Sequence, residues 1–343
     1  MCGRERFQKA LSCQTVDRPP IWIMRQAGRV LPEYCALRQC YDFVPLVQTP
    51  ELCAEVTLQP VRRFGFDAAI LFSDILVIPE ALGQKYAFIP SGGIKMDFAL
   101  QPSAFEKTLQ WNNPLERLAY TWEALGLIHR KLGDSAALLG FAGSPWTLAG
   151  FMCEGSGGLL NSPTPPRALA WYQTDPKGFH AFMERLTDVV ADYLIRQFEY
   201  GVLAAQIFDS LAQKVPAKDY WNISGQYIDK IVRKLGPQRP IIVYCKGEVW
   251  RQYVSTSVRA LSVDWHQSLS EVKQAVGEMR CVQGNLNPAL MTTDPQTVRA
   301  AAEALLQEMR RQNGFIVNLG HGIPPTGKLE CISALVQAVQ QAS

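Results

Sequence analysis

The chain has 343 residues, 48% apolar and 19% charged, a composition typical of globular proteins. Its 34 Lys and Arg residues nearly balance 31 Asp and Glu residues, and no basic block occurs, so the sequence does not favour a nucleic-acid partner. No apolar run approaches the about 18 residues of a membrane span, and residues 1–6 lack the apolar stretch of a secretory signal. We therefore expect a cytoplasmic protein with no membrane partner.

Short apolar segments alternate with longer amphipathic segments along the chain. Eight apolar segments have the length and composition of buried strands, at 20–24, 67–73, 137–142, 203–208, 240–245, 261–265, 280–284 and 315–319. Eight strands alternating with helices predict an α/β fold, a single (β/α)8 TIM barrel that comprises residues 1–343 as one domain. An open doubly wound sheet is the alternative, but no Gly-rich dinucleotide-binding turn follows a strand.

Capping signals support this alternation of strands and helices. Four predicted helices begin at a capping residue followed by proline, at Thr49, Asn113, Asp175 and Asp294. Glycines end three of these helices, at Gly133, Gly201 and Gly314. Between the helices, residues 84–100 predict a β-hairpin inserted after the second strand, with Gly92-Gly93 near its turn. The Gly-rich residues 155–160 predict a flexible, lid-like loop.

The cysteines and histidines indicate neither disulfides nor a metal site. Nine cysteines are present, an odd number, and none of them forms a Cys-x-x-Cys motif. They are typical of reduced, mostly buried thiols in a cytosolic protein. The four histidines show no zinc-ligand spacing with any cysteine, so we expect no metal.

Polar residues follow every predicted strand, where the chemistry of a (β/α)8 barrel is found. The first four strands are followed by Arg25, Gln26 and Arg29, by Ser73 and Asp74, by Ser144, and by Asp209 and Ser210, respectively. Lys246 follows the fifth strand, Asp264 ends the sixth, Asn285 and Asn287 follow the seventh, and Asn318 and His321 belong to the end of the eighth. We expect them to gather at one end of the barrel.

Several of these residues also have a structural interpretation. Asp74 either caps a helix or serves the site, and Asp209-Ser210 could equally cap the next helix. Asp264, Ser144 and Trp146 are expected to be structural. His321 lies between two glycines after the last strand, which packing alone explains less well.

The remaining pattern favours a substrate rich in carboxylates. Arg25 and Arg29 flank Gly28 just past an apolar strand, and guanidinium groups bind carboxylates in a bidentate manner. An aspartate such as Asp74 can accept N–H hydrogen bonds or stabilise a cation that forms in a transition state. The chain has no phosphate-binding loop and no nucleotide fingerprint, and the spacing of these residues does not name the substrate.

Six segments carry a resemblance to a known family. They are PPIWIMRQAGRVLPEY at 19–34, LQPVRRF at 58–64, AAILFSDIL at 68–76, GFAGSPWTL at 140–148, QGNLNP at 283–288 and NLGHGI at 318–323. Together they resemble the uroporphyrinogen decarboxylase family. The segments span nearly the whole chain in order, and the first and third are long and specific.

This resemblance implies both a fold and a reaction. Members of the family are single (β/α)8 barrels, commonly homodimers whose two clefts face each other. They remove carbon dioxide from the four acetate side chains of uroporphyrinogen III, a tetrapyrrole, and give coproporphyrinogen III on the route to haem. They use no metal and no organic cofactor. Protonation of a ring carbon of the substrate forms a cation, carbon dioxide leaves, and the methylene is reprotonated.

The resemblance also implies roles for individual residues. Asp74 contacts the pyrrole N–H groups and stabilises the cation. Arg25 and Arg29 bind substrate carboxylates, and Arg25 is also a candidate proton donor. Ser210 and His321 bind peripheral carboxylates. The full set of expected substrate-binding residues is Arg25, Gln26, Arg29, Asp74, Phe151, Phe208, Ser210 and His321, with Asp74 and Arg25 as the catalytic residues.

Two departures from the family pattern leave alternatives open. Phe151 stands where the family usually has a Tyr, and residues 155–160 lack a Lys that usually follows. Loss of one hydrogen bond to a charged group costs about 1.5–3 kcal/mol, or roughly 10- to 100-fold in rate. One alternative is therefore a tetrapyrrole-binding protein without activity. Another is a methyltransferase on the same barrel, although the His-x-Cys zinc site of those relatives is absent here.

Overall fold

The computed structural model describes residues 1–89, 93–155 and 165–342. Its β-strands are β1 (Ala68–Ile70), β2 (Tyr86–Phe88), β3 (Ile94–Met96), β4 (Ala137–Gly143), β5 (Ala204–Asp209), β6 (Ile241–Cys245), β7 (Ala260–Ser262), β8 (Cys281–Leu286) and β9 (Phe315–Leu319). Seven of them form one parallel sheet in the order β1-β4-β5-β6-β7-β8-β9. The predicted α/β class with a parallel sheet is confirmed.

Helices alternate with these strands. They are α1 (Gly3–Leu11), α2 (Pro32–Cys40), α3 (Phe43–Gln48), α4 (Pro50–Phe64), α5 (Val77–Ala81), α6 (Phe105–Thr108), α7 (Ala119–Leu132), α8 (Pro145–Glu154), α9 (Arg167–Thr174), α10 (Pro176–Glu199), α11 (Gln226–Leu235), α12 (Leu269–Val276), α13 (Pro295–Glu308) and α14 (Leu329–Gln340). Asp175 and Asp294 cap α10 and α13 by accepting backbone N–H bonds, as predicted. The helix α13 ends at Glu308, before the predicted Gly314.

A two-stranded antiparallel ladder lies where the sequence predicts a hairpin. Strand β2 pairs with β3 in a register that places Tyr86 opposite Met96. The Ile89 N–H donates to the Gly93 carbonyl at 3.1 Å, which continues the pairing beyond the strands. The rest of the predicted turn, including Gly92, and the Gly-rich segment 156–160 lie outside the described residues.

The first predicted strand, residues 20–24, is here called the closing segment. It lies between the two edge strands of the sheet, but its ladder pairing is limited to one parallel bridge, between Ile21 and Val317 of β9. On the β9 side, Trp22 N–H donates to the Val317 carbonyl at 3.3 Å, and Val317 N–H donates to Pro20 at 2.9 Å. On the β1 side, Asp67 N–H donates to the Ile21 carbonyl at 2.9 Å.

Side chains replace most of the expected ladder along the closing segment. The N–H of Ile21 donates to Asp67 Oδ2 at 2.8 Å. Two further N–H groups of the segment also bind side chains: that of Ile23 donates to Gln26 Oε1 and that of Met24 to Asn318 Oδ1, both at 3.0 Å. Because backbone donors in a buried segment must be satisfied, these bonds explain why an extended apolar run forms without a regular ladder.

A buried polar network links the closing segment to the interior of the sheet. Trp22 Nε1 donates to Gln283 Oε1 on β8 at 2.9 Å. The amide of Gln283 in turn donates to Gln206 Oε1 on β5 at 2.8 Å and to Ser262 Oγ on β7 at 2.9 Å. These bonds hold the closing segment to strands on the far side of the sheet.

An ion-pair cluster anchors the amino end of the closing segment. The carboxylate of Asp67 is 2% exposed and accepts from Arg6 Nη1 at 2.6 Å and from Arg18 Nη1 at 2.7 Å. Arg6 also binds Asp17, whose carboxylate raises the pKa of the Arg6 guanidinium. Asp67 therefore binds two guanidiniums while it also accepts the Ile21 N–H.

We predict that Asp67→Asn lowers the free energy of unfolding by about 3–5 kcal/mol, because it leaves the largely buried Arg18 without a carboxylate and Arg6 with Asp17 alone. Urea unfolding followed by circular dichroism measures this change. The matched control is Asp134→Asn, whose side chain is 85% exposed and lies 3.8 Å from Arg4. We expect a change of about 1 kcal/mol or less there. Equal effects of the two substitutions would contradict the anchoring role of Asp67.

Candidate active site

Arg25 is held at the carboxyl end of the closing segment in an unusual backbone conformation. Its φ of 66° lies in the left-handed region, which non-glycine residues rarely occupy. The adjacent bond from the Ile323 N–H to the Met24 carbonyl, at 3.0 Å, ties this turn to the chain after β9. A Cβ atom at Gly322 would lie 2.4 Å from Arg25 Cδ, so glycine there lets the arginine side chain pass. Arg25 is thereby directed past the end of β9.

Arg25 and Arg29 present two guanidiniums that are not neutralised. Both residues are exposed. Within residues 1–89, 93–155 and 165–342, neither side chain forms an ion pair or a hydrogen bond. This contrasts with Arg6 and Arg18, which are fully engaged by carboxylates. Two unpaired guanidiniums four residues apart are suited to bind carboxylates of a ligand.

Asp74 follows β1 and is half-buried. Its Oδ1 accepts the Leu76 N–H at 2.9 Å, in the turn that precedes α5. Burial raises the pKa of the Asp74 carboxyl, against the opposing influences of the Leu76 N–H and the Arg25 charge. One oxygen thus closes the turn before α5, and the N-cap residue of that helix is Leu76, not Asp74. The other, Oδ2, has no hydrogen-bond partner among the described residues, so it is available to N–H donors of a ligand.

His321 lies just beyond β9, and its half-buried ring contacts Tyr244 of β6 edge-on at a centroid distance of 6.2 Å. Burial, together with the positive charges of Arg25 and Lys246, lowers the pKa of His321 to about 4. The imidazole is therefore neutral near pH 7. It can donate one hydrogen bond to a carboxylate without being protonated.

The other expected site residues occupy different environments. Phe208 on β5 is half-buried, with its ring 5.7 Å from Phe141 and 6.0 Å from Tyr244. Ser210 is half-buried in the turn that follows β5. Phe151 is 5% exposed and lies in α8, one turn after Leu148.

Gln26 is placed differently from the two arginines that flank it. The residue is 3% exposed, its Oε1 accepts the Ile23 N–H, and its Nε2 donates to the Ala68 carbonyl at 3.0 Å. Both ends of the amide therefore bind backbone and hold the closing segment against β1. Direct contact of Gln26 with a substrate remains a prediction.

Asp209 forms a buried network that the sequence did not reveal. Its carboxylate accepts hydrogen bonds from four hydroxyl groups at 2.7–3.3 Å; the donors are Ser144, Thr147, Tyr220 and Ser224. Burial raises the pKa of Asp209, and the hydroxyl bonds oppose that shift. Asp209 thus joins β5 to the start of α8 instead of capping the next helix. The donors Tyr220 and Ser224 lie in a later segment, and no local motif marks them.

Three further residues near the strand ends, Asp264, Ser144 and Trp146, have structural contacts. Asp264 accepts the N–H groups of Gly247 at 2.7 Å and His266 at 2.9 Å. Ser144 caps α8 by accepting the Thr147 N–H, as expected. The indole of Trp146 donates to the Leu211 carbonyl at 3.0 Å. In the part of the chain that the structure describes, no group of three or more His, Cys, Asp or Glu residues is placed to hold a metal ion.

Comparisons with known proteins identify the family to which this chain belongs. A family model described as uroporphyrinogen decarboxylase (URO-D) matches residues 3–342. A uroporphyrinogen decarboxylase from Alkalilimnicola ehrlichii is 39% identical, over 99% of this chain and 94% of its own length. One from Legionella pneumophila is 39% identical, over 98% of this chain and 96% of its own length. The chain belongs to the uroporphyrinogen decarboxylase family. The family membership predicted from the six sequence segments is confirmed.

Solved structures support the fold alone. A methyltransferase from Methanosarcina mazei matches with a TM-score of 0.83 at 19% identity and covers 99% of each chain. A putative vitamin-B12-independent methionine synthase from Listeria monocytogenes matches with a TM-score of 0.56 at 12% identity, over 94% of this chain and 95% of its own. Identities this low do not transfer an activity.

We predict that Asp74→Asn lowers kcat about 100-fold or more, because a neutral amide removes the negative charge that stabilises a developing cation. The measurement is the rate of carbon dioxide release from uroporphyrinogen III under anaerobic conditions. A thermal melt like that of the parent would show that the fold is intact. Near-normal turnover of the folded variant would remove Asp74 from the chemistry.

The raised pKa of Asp74 also predicts a pH dependence. The carboxylate must be ionised to act, so kcat/KM falls with decreasing pH as Asp74 becomes protonated, at a pH above the ordinary aspartate value of about 4. The residual activity of Asp74→Asn should lack this acidic limb. An identical acidic limb in both proteins would assign it to another group.

Proposed function

We propose that this protein is a cofactor-independent uroporphyrinogen decarboxylase. In this proposal it removes the four acetate carboxyl groups of uroporphyrinogen III as carbon dioxide and releases coproporphyrinogen III, in porphyrin and haem biosynthesis. Family membership over nearly the whole chain supports the reaction. The observation that carries the proposal is the half-buried Asp74 carboxylate, with one free oxygen, in the field of the unpaired Arg25.

The charges of the site suit this substrate. Uroporphyrinogen has acidic arms around a ring of four pyrrole N–H donors. Arg25 and Arg29 would bind carboxylates of the arms, and Ser210 and neutral His321 would bind peripheral ones. Asp74 would accept the pyrrole N–H groups at the centre. The guanidiniums then face the carboxylates of the arms, and the Asp74 carboxylate faces the N–H donors, so each part of the ligand meets a complementary group.

The chemistry follows from the same arrangement. A proton, for which Arg25 is the candidate donor, adds to the ring α-carbon next to the carbon that bears an acetate arm, and the pyrrole becomes a cation. The Asp74 carboxylate stabilises that cation because the positive charge develops on the N–H side of the ring. The bond to the carboxylate carbon then breaks, and its electron pair returns to the ring as carbon dioxide leaves. Protonation of the methylene and loss of the first proton restore the pyrrole, so each cycle replaces one carboxylate with one proton.

The aromatic residues and Gln26 have supporting parts in this proposal. Phe208 would contact a face or edge of the macrocycle, because its ring is half-buried at the end of β5. Phe151 would contribute an apolar contact. Gln26 would place Arg25 by holding the backbone that precedes it.

We also propose that residues 1–343 form one (β/α)8 barrel domain, with the closing segment as its eighth strand. Its hydrogen bonds to both β1 and β9 support this closure. The ladder of β2 and β3 would be the hairpin inserted after the second barrel strand. We propose a cytoplasmic homodimer, for which sedimentation should give twice the chain mass of 38.3 kDa. No helix in the described ranges has both the length and the apolar character of a membrane span.

The test of the function is direct. Purified protein is incubated anaerobically with uroporphyrinogen III and a metal chelator, and the oxidised products are separated by number of carboxylates. We predict stepwise loss from eight to four carboxylates. A substrate that is bound tightly and recovered intact would favour the binding protein without activity.

We predict that Phe151→Tyr raises kcat by roughly 10- to 100-fold, because a phenol would restore one hydrogen bond to a charged group. Phe151 follows Leu148 by one helical turn, and Leu148 lies against Gly143 together with Ile75, next to Asp74. Steady-state rates of the two proteins give the comparison, with Phe141→Tyr as the matched control on β4. A Phe151→Tyr enzyme no faster than the parent would show that the phenol is not required.

A further inference from the structure

The carboxyl end of β6 directs a second side chain toward the site. Tyr244 pairs in register with Phe208 on β5 and with Ser262 on β7. Its ring lies between those of Phe208 and His321, at the end of the sheet where Arg25 emerges. Alternate residues of an extended chain share a face, and Lys246 remains extended with φ −90° and ψ 142°. Lys246 therefore leaves β6 on the same face as Tyr244.

Lys246 carries a charge that nothing nearby neutralises. It is half-buried, and in residues 1–89, 93–155 and 165–342 its ammonium has no ion pair and no hydrogen bond. Glu248 is exposed and faces Arg251 at 3.7 Å. Asp264 uses both of its oxygens for the N–H groups of Gly247 and His266. The positive charge of Lys246 instead acts on His321, together with that of Arg25.

The neighbouring groups are held firmly in place. The Tyr244 hydroxyl donates to the Gly320 carbonyl at 3.2 Å, directly before His321. Gly320 N–H donates to the Leu286 carbonyl at 2.8 Å. A Cβ at Gly320 would lie 2.4 Å from the Trp265 nitrogen, so the turn before His321 is tightly packed. The imidazole is thus positioned by two strands at once, on the side of the site where Lys246 lies.

We propose that Lys246 is a further substrate-binding residue, and that it forms one carboxylate subsite with His321 and Arg25. The subsite combines two fixed cations with a neutral imidazole donor. This subsite binds one substrate carboxylate, and Arg29 binds a different one. The identity of the ligand as a tetrapyrrole carboxylate rests on the proposed function, but the subsite itself does not.

The test compares Lys246→Met with Lys246→Arg, which keeps the charge. The matched control is Lys131→Met, because Lys131 is exposed in the last turn of α7, which leads into the amino end of β4. We expect Lys246→Met to raise KM for uroporphyrinogen III about 10-fold or more, with kcat within about twofold of the parent. The Lys246→Arg and Lys131→Met variants should stay within about threefold in KM.

A second readout does not depend on turnover. Four histidines are present, and NMR titration with single His→Gln variants assigns the His321 signal. Lys246 and Arg25 lower the pKa of His321 while Asp264 raises it, so Lys246→Met should raise the His321 pKa above its value in the parent, about 4. Benzenehexacarboxylate serves as a polycarboxylate probe. It should shift the His321 signal in the parent and bind about 10-fold more weakly to Lys246→Met.

The two readouts separate the subsite from the reaction. The proposed function would be overturned, and the subsite retained, if the parent does not decarboxylate uroporphyrinogen III and Lys246→Met binds the probe more weakly than the parent does. Equal probe affinity in the parent and in Lys246→Met would overturn the subsite, whatever the rates. Because Lys246→Arg preserves the charge, its parent-like behaviour would assign the effect of Lys246→Met to the lost positive charge, provided that the thermal melt of Lys246→Met matches that of the parent.

Discussion

The site depends on how one short apolar segment is held between the two edge strands of the sheet. In the closing segment, three of four consecutive backbone donors bind side chains: Asp67, Gln26 and Asn318. Such bonds define position more specifically than a regular ladder does, because each acceptor is the side chain of one particular residue. They end at Arg25, which enters a left-handed conformation. The hydrogen bonds that fix the backbone of the closing segment therefore also fix the position from which the Arg25 side chain extends.

The electrostatic design separates structural charges from charges left for a ligand. At the amino end of the closing segment, the charges of Arg6 and Arg18 are balanced by those of Asp17 and Asp67. At the carboxyl end, Arg25 and Arg29 have no such partner in the described ranges. The buried carboxylate of Asp209 is likewise saturated by hydroxyl groups, whereas Asp74 keeps one oxygen free. A polyanion with a central ring of N–H donors complements this division of charge.

Local sequence patterns were sufficient to predict the parallel α/β class and the positions of its strands. Apolar runs with flanking caps lie within two residues of β4, β5, β6 and β9. The same patterns could not show that residues 20–24 form a single bridge, because the acceptors Asp67 and Asn318 lie far away in the chain. Nor could they show that Gln26 faces the backbone while its neighbours Arg25 and Arg29 face solvent.

The resemblance to a family supplied what periodicity could not, namely the substrate and the roles of single residues. Spacing alone treated Asp74 and Asp209 alike, since each follows an apolar strand. The structure distinguishes them by their surroundings: four hydroxyl donors surround Asp209, and a single backbone N–H binds Asp74. Burial also explains why His321 is neutral, an effect that depends on the proximity of β6 and Arg25 in three dimensions.

A crystal structure with coproporphyrinogen III bound anaerobically would test the central claim most directly. We predict that the Asp74 carboxylate lies within hydrogen-bond distance of the pyrrole N–H groups, and that Arg25 and His321 contact carboxylates at the rim of the macrocycle. A macrocycle bound with its N–H groups turned away from Asp74, or outside the ends of the strands, would contradict the proposed arrangement of charge.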